Sequence, residues 1–85
     1  MNAAHLPLAL LLNIPIRRLI RALEREGFQF TGRKGSQRIY RHADSRRVII
    51  HYHRGNRPLT PIEIQHFLIG TRWTEDDLRR LGLIK

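Results

Sequence analysis

The spacing of hydrophobic residues changes twice along the chain, from helical to alternating and back, and that pattern constrains the fold more than any other feature. Ile16, Leu19, Ile20 and Leu23 recur at i, i+3, i+4 and i+7, the stripe of one amphipathic helix. Pro15 is acceptable in the first turn of such a helix, and Gly27 suits its stop. From Phe28 the period falls to two. Phe28-Gln29-Phe30-Thr31 alternates, and Gly32-Arg33-Lys34-Gly35 offers two glycines for a tight connection to a second strand. Residues 36–42 and 46–53 are rich in Ile, Val and Tyr, with a turn around Asp44-Ser45 between them. Val48, Ile50 and Tyr52 share one face of the last strand, assigned to the core, and Arg47, Ile49, His51 and His53 share the other.

A helical period returns after the loop Arg54-Gly55-Asn56-Arg57-Pro58. Thr60-Pro61-Ile62-Glu63 reads as a capping box with proline at the first helical position, and Ile64, Phe67 and Leu68 mark the core face that follows. Ile62 and Ile69 fall on a different side, and the C-terminal residues are expected to cover them. Thr74 starts a short third helix with Glu75, Asp76 and Asp77 in its first turn, and Gly82 ends it. Trp73, Leu78 and Leu81 are then free to pack on the second helix. The expected class is α+β, in the order α-β-β-β-α with a short terminal helix: a three-stranded antiparallel sheet with helices on one face. At 85 residues there is room for one core, read as a domain over residues 14–85 preceded by an arm at residues 1–13.

Charge narrows the partner. Sixteen Lys and Arg oppose seven Asp and Glu, a net charge of +9, and such an excess opposes compaction unless a polyanion offsets it. Most of it is arginine, whose planar fork of donors grips phosphate and stacks on bases, so nucleic acid fits better than a membrane. Arg17, Arg18, Arg21 and Arg25 fall together on the first helix, opposite its apolar stripe. The chain has no cysteine, which excludes disulfides and thiolate chemistry and agrees with a cytoplasmic setting. The apolar run at residues 6–12 is broken by Pro7 and is far shorter than the ~20 residues of a membrane helix.

The order of these segments resembles the HicA toxin family. Leu23-Glu24-Arg25-Glu26-Gly27-Phe28 looks like the family's end-of-helix segment, and Lys34-Gly35-Ser36 like the start of its Gly-Ser-His motif. Val48-Ile49-Ile50-His51-Tyr52-His53 is similar to its third-strand segment, with His53 in the histidine position and His51 where proline is expected. Leu59-Thr60-Pro61 is similar to the opening of its second helix, without the usual glycine. The resemblance implies a double-stranded-RNA-binding-like fold and an mRNA-cleaving toxin neutralised by a HicB-like antitoxin. The residues themselves lead to no expected cofactor and no expected metal, since beside the His51 and His53 pair only Asp44 could add to a ligand set.

One departure bears on the chemistry. The family's active-site histidine corresponds to Gln37, and an amide neither gains nor loses a proton near neutral pH. The catalytic candidates are therefore Gln37, by position, and His53, with His42 and His51 as alternative proton carriers. The candidates for holding RNA are Arg17, Arg18, Arg21, Arg33, Lys34, Gly35, Ser36 and Arg38. Tyr40 and Tyr52 are read as core aromatics with hydroxyls at the rim. Two alternatives stay open: a non-catalytic nucleic-acid-binding module, and an interaction protein whose basic surface meets an acidic antitoxin and whose apolar arm and second-helix side support self-association.

Overall fold

The computed structural model describes residues 7–52 and 55–85. A 3-10 turn at Leu8–Leu11 leads to α1 (Ile16–Glu26), β1 (Gln29–Lys34), β2 (Gln37–Arg41), β3 (Arg47–His51), α2 (Pro61–Thr71) and α3 (Glu75–Arg80). The strands form one antiparallel sheet in the order β1-β2-β3. This is the α+β meander with flanking helices that the change of period predicts.

Local chemistry sets the ends of each element. No side chain of its own caps α1, but the Asn56 Oδ1 from a distant loop accepts from the Arg17 N–H at 2.9 Å, supplying the missing cap. The helix stops at Gly27, where the Phe28 N–H reaches back to the Leu23 carbonyl. α2 has the full capping box: the Glu63 N–H donates to the Thr60 hydroxyl, and the Thr60 N–H donates to the Glu63 carboxylate at 2.8 Å. Thr74 and Asp77 repeat the device at α3.

The hairpin between β1 and β2 is tighter than its sequence suggests. Lys34 pairs with Gln37, so only Gly35 and Ser36 lie in the turn, and Gly35 takes a φ of 60° that a side chain would strain. Gly32 lies within β1 instead, beside a register shift that follows Phe30.

Val48 and Ile50 on β3 and Tyr40 on β2 point from the sheet to the helices, meeting Leu19 and Leu23 of α1 and Ile64 and Phe67 of α2. Leu11 is completely buried in the same core. Removing a side chain such as Leu23 costs about 3 kcal/mol, because the surroundings fill such a cavity only in part. α2 lies close against β3. A Cβ on Gly70 would come within 2.7 Å of the Arg47 carbonyl oxygen, so only glycine permits this approach.

The C-terminal segment packs differently from expectation in one respect. Trp73 meets Phe67 edge-to-face, as predicted, but α3 turns towards α1: Arg80 grips Glu26 through two hydrogen bonds, and Arg18 donates to the Gly82 carbonyl. Ile62 and Ile69 are left 62% and 56% exposed, so the cover predicted for them is not supplied by these residues. Among the described residues no helix is long and apolar enough to cross a membrane.

Candidate functional site

Strand alternation separates two chemistries at one end of β2. Arg38 pairs with Ile50 and faces the helix side of the sheet, whereas Gln37 pairs with His51 and faces the opposite side. The two candidates are sequence neighbours on opposite faces.

On the open face, the Gln37 Nε2 lies 3.5 Å from the His51 Nε2, a long contact between an amide and an imidazole. The pair sits in a groove of about 520 Å³ that runs past β3 onto the outward side of α2. Arg47, Glu63 and His66 add polar groups, and Ile49, Ile62 and Ile69 form its apolar wall. Ser36, beside Gln37, accepts from the Tyr52 N–H at 2.8 Å, which ties the hairpin turn to the end of β3. The Glu63 carboxyl would be raised by burial, but hydrogen bonds from Arg57 and Thr60 outweigh that and hold it at about 2. It stays an anion at any working pH.

On the helix side, Arg38 stacks over the Tyr52 ring at 4.1 Å. Hydrogen bonding with Arg17 lowers the Tyr52 phenol and raises the guanidinium. Arg33 pairs across the hairpin with Arg38, and Lys34 and Gly35 are exposed at the tip. The arginines of α1 divide. Arg17 turns to Tyr52, while Arg18 and Arg25 donate to the Gly82 and Leu81 carbonyls and help hold the C-terminal turn. Tyr40 is buried and Tyr52 half-buried, as expected of core aromatics at a rim.

The histidines are sorted by their surroundings. His42 bonds the Glu26 carbonyl at 3.0 Å, receives the Asp44 N–H and packs edge-on against Phe28, a structural role at the far turn. His51 alone of the alternatives meets Gln37. His53 lies outside the described residues. His66 joins the groove unannounced by the sequence, because its position on α2 faces neither the core stripe nor any recognisable motif. Among the described residues no three His, Asp or Glu side chains gather closely enough to hold a metal ion.

No curated protein matches the chain. A family model described as the HicA toxin of bacterial toxin-antitoxin matches residues 16–63, more than half of the sequence. That span runs from the first residue of α1, through the whole sheet, to Glu63 in the first turn of α2, and it contains both Gln37 and His51. With the order of elements, the hairpin and the capped second helix all in place, the chain belongs to the HicA toxin family.

Proposed function

We propose that this protein is the RNA-cleaving member of a HicA-type toxin–antitoxin pair, with His51 handling the proton that Gln37 cannot. The observation that carries this reading is the 3.5 Å approach of the His51 imidazole to the Gln37 amide inside an open groove that also holds Arg47 and His66. An imidazole can accept the proton of a ribose 2′-hydroxyl near neutral pH. The 2′ oxygen then attacks the adjacent phosphorus, the bond to the 5′ oxygen breaks, and a 2′,3′-cyclic phosphate and a 5′-hydroxyl remain. Gln37 donates an amide N–H to a phosphate oxygen, and Arg47 offsets the charge that builds there. His66, in the same groove, can return a proton to the leaving 5′ oxygen, as can His53 at the position of the family's third-strand histidine. Arg17, Arg21, Arg33, Lys34 and Arg38 hold the flanking strand, with Arg18 shared between RNA and the C-terminal turn. Messenger RNA as the target sets the activity in the cytoplasm. An acidic HicB-like antitoxin seated over the groove blocks it, gaining apolar contact from Ile62 and Ile69.

The test is cleavage of a transcript by the purified chain. His51→Ala is expected to slow cleavage about 100-fold while leaving RNA affinity within about twofold, the usual effect of removing a general base. A His51→Ala protein that cuts at the normal rate would contradict the assignment, and His53→Ala would then show whether that residue carries the proton. A second reading, a non-catalytic RNA-binding module, is favoured by the amide at Gln37. It predicts binding without cleavage at any pH.

A further inference from the structure

A second groove lies on the helix side of the hairpin, around the end of β2 from the Gln37 groove. It encloses about 480 Å³ and is lined by Ile20, Glu24, Phe30, Arg33, Arg38 and Tyr40. Phe30 pairs with Tyr40 across the strands and so faces the helices, yet it remains 52% exposed. An exposed phenyl ring is unfavourable in water unless something covers it. Tyr40 fixes its tilt, with ring centroids 5.7 Å apart and planes at 64°. Arg38 hangs near the ring, 6.0 Å from its centroid.

The charges in this groove do not satisfy one another. Among the described residues neither Arg33 nor Arg38 forms an ion pair, and the Glu24 carboxylate has no ion-pair partner, although all three side chains line the same space. A ligand that completes the groove has a flat apolar face for Phe30, an anionic group for the arginines and adjacent hydrogen-bond donors for the carboxylate. A nucleotide has all three. Of the four RNA bases, guanine alone places two neighbouring donors, N1–H and the N2 amino group, on its Watson–Crick edge, where one carboxylate can accept both.

We infer that this groove receives one unpaired guanine base of the bound RNA, stacked on Phe30, read by Glu24 and held through its phosphate by Arg33 and Arg38. The inference rests on the RNA-directed reading and adds a specificity site to it. A bound strand thus has its backbone on the arginine surface, one base in this groove and its reactive phosphate around the hairpin end beside Gln37. Single-stranded loops and ends present such a base, whereas a continuous duplex does not.

The test uses the full chain and short fluorescent oligouridines with 2′-fluoro riboses, which cannot be cut through a 2′-hydroxyl. Each carries one central guanosine, inosine or adenosine, and binding is followed by anisotropy in dilute salt. The wild-type protein is expected to prefer the guanosine probe over the adenosine probe by about tenfold, with inosine between them. Glu24→Gln removes that preference while holding the adenosine probe within about twofold. Phe30→Leu weakens all three probes about tenfold, and Phe30→Trp restores them, the pattern of stacking lost and regained. Thermal midpoints of these variants stay at the wild-type value, since both side chains are exposed. Tight binding with equal affinity for the three probes, or a Phe30→Leu protein that binds as well as wild type, overturns this site and leaves the RNA-directed reading standing. No binding of any probe overturns both.

Discussion

Glu63 does two things at the entrance to α2. Its carboxylate receives the Thr60 N–H at 2.8 Å and the Arg57 guanidinium at 3.2 and 3.4 Å, so it closes the capping box and ties down the preceding loop. Because its pKa in the folded chain is about 2, against an ordinary 4.5, it stabilises the fold above the ordinary value and that contribution disappears as pH falls between the two. Glu63→Gln is therefore expected to lose about 1 kcal/mol at neutral pH and to show a shallower acid limb in urea unfolding. Asp44, also held at about 2 by hydrogen bonds from Arg46, keeps part of the acid loss in both proteins. Equal stability at neutral pH with parallel acid limbs would contradict this account of Glu63. At the same scale, Gln37 was legible from its place after Gly35-Ser36, but the identity of its neighbour was not. Alternation in the sequence reads His51 and His53 as equals, and only the cross-strand register, which no single strand encodes, sets His51 opposite Gln37. Gln37→His is expected to raise cleavage about tenfold or more by restoring a titrating group at that point. A Gln37→His protein with intact RNA binding and no gain would show that more than the proton carrier differs.

Among the elements, α1 and α2 are read from sequence with different success for a physical reason. The α1 stripe faces a single core, so its period and its stop at Gly27 predict the helix closely. α2 buries Ile64, Phe67 and Leu68 on one side and turns Ile62 and Ile69 to the open groove. An apolar residue seeks cover only if cover is within reach, and the C-terminal segment instead buries Leu78, Leu81 and Leu83 in the core, with Arg80 of α3 paired to Glu26 of α1. The division of the arginine stripe has the same origin, since Arg18 and Arg25 face the C-terminal carbonyls that α3 brings up. The α2–β3 approach gives the element-scale prediction. In an isolated helix Gly→Ala stabilises, but at position 70 the added methyl meets the Arg47 carbonyl, so Gly70→Ala is expected to cost about 2 kcal/mol. It should also disturb the Gln37 groove, which Gly70 helps to line. A Gly70→Ala protein with a higher urea midpoint would contradict the close packing of α2 on β3.

For the whole molecule, the meander with its helices on one face was legible because each change of hydrophobic period coincides with a turn or cap signal that agrees with it. The second groove was not, because its lining residues lie on three elements and Phe30 reads in sequence as an ordinary alternating strand residue. The net charge of +9 brings these parts together: a small core carries an uneven positive surface around one end of the hairpin, with the two grooves on either side of it. The account stands on that surface gripping the phosphates of RNA, and equilibrium binding of an oligoribonucleotide as a function of salt measures it directly. Affinity is expected to fall about 100-fold between about 50 and about 200 mM salt, as counterions compete for roughly five phosphate contacts. An affinity that ignores salt, or an absence of binding in the most dilute buffer, would contradict it.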